Sequence, residues 1–167
     1  MYDKLTPNDI RRMEEEIEYR KLVVRKEKLE AVKEARAQGD LSENFEYKSA
    51  KKEKNENESR IRYLERMIRT AVVVEDHSRE DEVGLDNTVT IYIPEDDEEE
   101  TYKLVTAVRA DSLSGLITME SPLGKALMGK KVGDMVKVQV SDTYSYEVVV
   151  RKIENTKDEG QEKIRRY

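Results

Sequence analysis

Two hydrophobic periods divide the chain. Ile10, Met13, Ile17, Val24 and Ala31 recur near every 3.5 residues, with Leu22 and Leu29 a heptad apart beside them, as one face of a long helix requires. Thr6-Pro7-Asn8-Asp9 supplies its start: Thr or Asn can cap, proline suits a first turn, and an early acid suits the dipole. No breaker follows before Gln38, and Gly39 supplies the stop. Roughly 30 residues at ~1.5 Å each predict a rod of about 45 Å. A second run, Ala50, Lys54, Asn57, Ile61, Leu64 and Ile68, steps by four and three and predicts a returning helix over about Asn44–Thr70. Lys54 and Asn57 fall in its seam, where polar residues weaken a coiled coil but help fix register. Gly39 is the only glycine before residue 84, and no proline lies between Pro7 and Pro94. Residues 1–75 therefore read as an antiparallel helical hairpin with an acidic tip at 39–47.

Residues 76–86 are charged and read as a linker, after which the period changes to two. Thr88–Ile93 alternates in β-branched and aromatic residues, and Tyr102–Val108 does so more loosely across an acidic Pro94–Glu100 turn. Leu113–Met119 is a shorter strand candidate around Gly115, and Val132–Val140 and Tyr144–Ile153 are the strongest. Ser121-Pro122 should open one or two helical turns. Residues 87–154 predict a small antiparallel sheet with a short helix, and the charged tail, 155–167, should fray. The fold class expected is α+β.

Charge sharpens this division. Residues 1–70 hold 18 Lys/Arg against 16 Asp/Glu, about +2, and the remainder 13 against 21, about −8. The acidic half should not bind nucleic acid nonspecifically, whereas the hairpin could tolerate it locally. The chain has no cysteine, so no disulfide framework or thiolate metal site is available. No run reaches the ~20 apolar residues of a membrane span, and no signal-peptide core opens the chain, so the expected setting is cytoplasmic, without a membrane.

The candidate chemistry is at the tip, in Asp40 and Glu43. Asp-x-x-Glu is also a capping box, in which Asp40 caps the second helix and Glu43 reaches back; Ser42 or Asn44 could cap instead. Two carboxylates alone bind Mg²⁺ weakly, so a chemical role needs a second macromolecule to complete the site. Lys33, Arg36, Lys48, Lys51 and Lys52 flank the acids and either form a solvated face or lie along a phosphate backbone. Tyr47 can pack or stack. Triads, phosphate-binding glycine loops and His clusters are absent from the sequence, and His77 stands alone.

Residues 34–51, Glu-Ala-Arg-Ala-Gln-Gly-Asp-Leu-Ser-Glu-Asn-Phe-Glu-Tyr-Lys-Ser-Ala-Lys, resemble the signature of the Gre family of bacterial transcript-cleavage factors, GreA type. A second stretch, Ser121-Pro122-Leu123-Gly124-Lys125-Ala126-Leu127-Met128-Gly129-Lys130-Lys131-Val132-Gly133-Asp134, is similar to the family's C-terminal motif, and Ala110-Asp111 with Gly115 also fits. The resemblance covers roughly residues 5–154. It implies a coiled-coil hairpin followed by a small FKBP-like antiparallel-sheet domain that docks at the rim of the RNA polymerase secondary channel. It places the chain among bacterial, DNA-binding transcription proteins. By this resemblance Asp40 and Glu43 are catalytic and hold Mg²⁺ jointly with the polymerase at the 3′ end of backtracked nascent RNA. Leu41, Ser42, Asn44 and Tyr47 shape the tip, Arg36, Lys48 and Lys52 lie toward RNA, and Asp111, Ser121 and Pro122 dock on polymerase. The factor is a monomer that completes the polymerase's own metal site and is not an enzyme alone.

There are departures from the family pattern. Phe45 stands where many members carry a small residue, Asn8 where glycine is common, and no mid-helix proline interrupts the first helix, which implies a straighter arm. Prolyl isomerase activity is not implied, because the only aromatics of the C-terminal part are tyrosines. The alternatives are a channel-binding modulator of polymerase that does not stimulate cleavage, and a coiled-coil adaptor whose tip acids are only caps.

Overall fold

The computed structural model describes residues 3–39 and 44–166. The chain falls into two units, one of Asp9–Ala71 and one of Asp3–Asn8 with Val72–Arg166. A helical unit followed by a sheet unit is the α+β organisation the periodicities predict.

The first helical run comprises α1 (Pro7–Tyr19), a π-helical turn (Arg20–Val24) and α2 (Arg25–Arg36), and the return is α3 (Phe45–Arg69). Met13, Ala50, Ile61 and Leu64 are buried as the heptads predict, and Ala35 is buried nearer the tip; at the base Met67 is buried, whereas the predicted seam residue Ile68 is half-buried. The π-turn was not legible from the sequence, where the missing proline implied an uninterrupted helix. A π-turn inserts a residue and shifts the heptad phase. Leu22 and Leu29 are accordingly solvent-exposed, at 66% and 46%, instead of flanking the seam.

A polar network takes their place. The Glu16 carboxylate accepts from Arg20 Nε at 2.7 Å and from Arg60 Nε at 2.8 Å, while Arg20 Nη1 donates to Asn57 Oδ1 at 3.0 Å. Asn57 Nδ2 donates to the Arg20 carbonyl at 3.4 Å, so the irregular turn and the buried seam asparagine are one device. A buried asparagine of this kind fixes helix register at some loss of stability. Burial works to raise the pKa of Glu16, but the guanidinium hydrogen bonds from Arg60 and Arg20 outweigh it and hold the carboxyl below the usual glutamate range. The half-buried pair Arg25–Glu58 and the more exposed pair Lys21–Glu65 flank the network; surface pairs contribute little singly.

In the second unit, β1 (Lys4–Leu5) pairs in parallel with β2 (Val72–Val73). The main sheet has strand order β5-β4-β3-β7-β6, from β3 (Thr88–Ile93), β4 (Glu98–Val105), β5 (Leu116–Thr118), β6 (Met135–Gln139) and β7 (Ser145–Glu154). The sheet is mixed and not wholly antiparallel, because β5 runs parallel to β4 after a crossover through two 3₁₀ turns, Ala107–Arg109 and Ser112–Ser114. The second strand starts earlier than the alternation predicts, at Glu98, and ends at Val105, with Val108 in a 3₁₀ turn. Three glutamates open β4, two on exposed positions and Glu100 half-buried, which masks the strand in sequence. Alternate positions Val89, Ile91 and Ile93 of β3 and Val148 and Val150 of β7 form the core, closed by Leu127 of α4 (Pro122–Leu127).

Two further expectations are corrected. The stretch 76–86 does not stand apart as a linker: Val83 and Leu85 are buried, and Val83 exchanges backbone hydrogen bonds with Lys130 and Gly129, each 2.8 Å. Two apolar residues among eleven show no period, so the sequence hides this. The tail also packs. Thr156 Oγ1 donates to the Asp86 carbonyl at 2.7 Å, Arg165 N–H donates to the Val108 carbonyl at 2.6 Å, and Glu162 reaches Arg109 Nη1 at 3.2 Å and Lys103 Nζ at 3.1 Å. The reason is Arg109, whose side chain is fully buried and paired with Asp86 at 2.5 Å. A buried guanidinium requires several acceptors, and the tail supplies Glu162 and, at 3.9 Å, Asp158. Burial raises the Asp86 pKa above the usual aspartate range despite the opposing hydrogen bond from Arg109, and the nearby Asp158 charge adds to the rise.

Candidate functional site

The end of the hairpin is closed by Asn44. It is the N-cap of α3, with extended backbone, and its Oδ1 accepts from the Tyr47 N–H at 3.0 Å. Its Nδ2 donates to the Ala35 carbonyl, in the last turn of α2, at 2.7 Å. One side chain thus satisfies a free N–H at the start of one helix and adds a donor to a carbonyl in the last turn of the other, which also accepts from the Gln38 N–H at 3.3 Å. Gly39 has φ +133°, a backbone conformation that side-chain-bearing residues rarely adopt, which explains the lone glycine at the end of the first helical run.

Asp40, Leu41, Ser42 and Glu43 lie outside the described residues. Their positions relative to Asn44 still decide one question. The cap of α3 is Asn44, so Asp40 stands four positions before it and Glu43 one before it. A capping box starting at Asp40 would have opened the helix four residues earlier.

The remaining tip candidates fall into two groups. The Arg36 guanidinium lies over the Tyr47 ring at 5.7 Å from its centroid, tying α2 to α3. Lys48 and Lys52 share a shallow hollow of about 490 Å³ with Lys51, Asn55 and Ser59 along α3, on a face separate from the seam. Phe45 is the outlier: 80% exposed at the first position of α3, with the Lys48 ammonium 5.7 Å from its ring centroid. Sequence reasoning noted Phe45 only as a departure.

The docking candidates Asp111, Ser121 and Pro122 all attach to edge strand β5. Asp111 exchanges both backbone hydrogen bonds with Leu116, each 2.9 Å, and its carboxylate accepts from Ser114 Oγ at 2.8 Å. Ser121 caps α4, accepting from the Gly124 N–H at 3.0 Å and donating to the Thr118 carbonyl at 2.7 Å, so its hydroxyl already has a structural task. Pro122 is exposed at the first helical position, and Leu113, which sequence reasoning passed over, is 99% exposed between them. Gly124 admits no side chain, since an added Cβ would lie 1.9 Å from the Thr118 carbonyl oxygen.

Among the described residues no group of three or more His, Asp or Glu side chains could hold a metal ion, and no helix is long and apolar enough to cross a membrane.

Residues 4–73 match the family profile described as transcription elongation factor, N-terminal, and residues 78–155 match the profile of transcription elongation factor, GreA/GreB, C-term. The chain belongs to the GreA/GreB family of transcription elongation factors. Among relatives of this GreA/GreB protein, transcription elongation factor GreA of Geobacillus kaustophilus is 48% identical over 136 residues, covering 81% of this chain and 86% of that one. GreA of Bacillus subtilis is 46% identical over 135 residues, with the same shares covered. The crystal structure of GreA factor homolog 1 (Gfh1) of Thermus thermophilus covers 93% of this chain and 100% of its own at 27% identity, with a TM-score of 0.42, too low to bear on shape or function. The second profile match includes Arg109 and Asp86 and ends before Asp158 and Glu162, the tail residues that complete the cage.

Proposed function

We propose that this family member stimulates cleavage of backtracked nascent RNA by RNA polymerase. The hairpin enters the secondary channel, and Asp40 and Glu43 complete a Mg²⁺ site that the polymerase shares at the RNA 3′ end. The observation that carries this reading is Asn44. It bonds both helix ends at the tip, so α3 does not need either acid for its cap. With α3 capped by Asn44, two carboxylates in the sequence that joins the two helices suit groups delivered to a site elsewhere.

The donor chemistry fits a shared ion. Carboxylate oxygens suit Mg²⁺, and two of them leave most of an octahedral shell to waters, phosphates and polymerase groups. Bound there, the ion supplies charge stabilisation and an acidified water for phosphodiester hydrolysis. The chain's own residues do the rest. Asn44, one residue after Glu43 in the chain, sets where α3 begins; Arg36, held on Tyr47, and Lys48 and Lys52 present cations toward RNA phosphates. Asp111, Ser121 and Pro122, along β5, belong to the face that docks at the channel rim. In this role the chain is an accessory factor and the polymerase performs the hydrolysis.

The test uses polymerase halted in a backtracked state with end-labelled RNA and Mg²⁺. The wild-type chain should accelerate cleavage, and the Asp40→Asn/Glu43→Gln variant should bind without accelerating it. If both bind and neither accelerates, the chain is a channel-binding modulator and the proposal falls.

A further inference from the structure

Phe45 sits between two hollows of different chemistry on the helical hairpin. On one side is a recess of about 440 Å³ lined by Ala31, Ala35 and Ala50, with Phe45 as a wall and Gln38, Ser49 and three carboxylates, Glu34, Glu46 and Glu53, around it. On the other is the hollow that holds Lys48, Lys51 and Lys52, with the Lys48 ammonium 5.7 Å from the Phe45 ring centroid. The aromatic ring is not part of the packing between the helices, since it is 80% exposed while Ala35 and Ala50 beneath it are buried. An aromatic wall over an alanine floor accepts a flat ring; the Gln38 amide and the three carboxylates accept from exocyclic amines, and the carboxylates repel phosphate. The lysine side attracts phosphate. A base on one side and its backbone on the other is the recognition pattern of single-stranded nucleic acid.

We infer that Phe45 is a stacking platform for an unpaired RNA base, with Lys48 and Lys52 holding the adjoining phosphate. This rests on the cleavage-factor reading for the identity of the strand, the extruded RNA end, and it makes Phe45 a positioning residue that acts through RNA placement. Loss of one stacked base lowers affinity by about fivefold to a hundredfold.

The test places 2-aminopurine at the RNA 3′ end of a backtracked polymerase complex and adds full-length chain carrying Asp40→Asn/Glu43→Gln, so that no cleavage intervenes. Fluorescence should be quenched with Phe45 or Phe45→Tyr present and not with Phe45→Ala. In the cleavage-competent background, Phe45→Ala should raise the half-saturating concentration at least about fivefold and leave the saturated rate near that of wild type. Quenching and half-saturation that are indifferent to Phe45→Ala would overturn the inference while cleavage by wild type still stood. A Phe45-dependent quench without any stimulated cleavage would support the platform and remove the cleavage reading alone.

Discussion

Arg109→Met is the most demanding test of the second unit. The guanidinium is fully buried, with Asp86 Oδ1 at 2.5 Å, Glu162 Oε1 at 3.2 Å and Asp158 Oδ2 at 3.9 Å. Two unit charges 3.2 Å apart attract by about 5 kcal/mol at an effective dielectric of ~20. Desolvation offsets much of this in the intact cage. Removing only the cation leaves three carboxylates confined without it, and losses of about 3–5 kcal/mol follow when one partner of a buried pair is deleted. Methionine keeps most of the volume, so little of the loss comes from packing. Because the chain has two compact units, the assay is urea denaturation read by hydrogen exchange of β3 and β4 amides, which reports on the sheet unit alone. The loss should shrink as pH falls from 7 toward 5, because Asp86, whose pKa burial already raises, takes up a proton once the cation is gone. A loss below about 1 kcal/mol at neutral pH, or one that is independent of pH, would refute the view that the tail is held by this charge.

Asn44→Ala should lower protection of the first turns of α3 by about 1 kcal/mol, while Asp40→Asn and Glu43→Gln leave it unchanged; hydrogen exchange across residues 44–52 reads both. Gly124→Ala should destabilise the sheet unit by about 1–3 kcal/mol or more, since its Cβ meets a backbone oxygen that cannot move away, and thermal unfolding measures it. The two units should respond oppositely to mild acid. Glu16 has a lowered pKa, so its contribution is complete above the ordinary glutamate value and is lost as pH falls through its folded value. Asp86 has a raised pKa, so the folded state binds its proton first, and its effect favours folding on acidification and is lost as pH rises through its folded value. Glu16→Gln and Asp86→Asn should flatten the respective profiles.

The hairpin and the strands were legible because their apolar residues repeat: Met13, Ile61 and Leu64 with helical spacing, Val89, Ile91 and Ile93 with alternation. What was hidden depended on partners far along the chain. The π-turn at Arg20–Val24 exists with a carbonyl acceptor for Asn57, 37 residues on. Packing of the tail depends on Arg109, a residue that reads locally as an ordinary surface cation. Val83 and Leu85 are too few to show a period, and the parallel placement of β5 follows from a crossover with no motif of its own. At the tip the residue types were readable, but the choice among Asp40, Ser42 and Asn44 as the cap was not. A carbonyl at Ala35 decided it, by giving the second half of the Asn44 amide a partner.

The central claim is that the tip acids are delivered to a metal site instead of starting a helix. It is tested most directly by the Mg²⁺ concentration that gives half-maximal RNA cleavage in backtracked polymerase complexes. Wild-type chain should lower that concentration, and Asp40→Asn and Glu43→Gln should each return it toward the value for polymerase alone at saturating factor. A midpoint that wild type does not move, or that wild type and both variants move equally, would contradict the account.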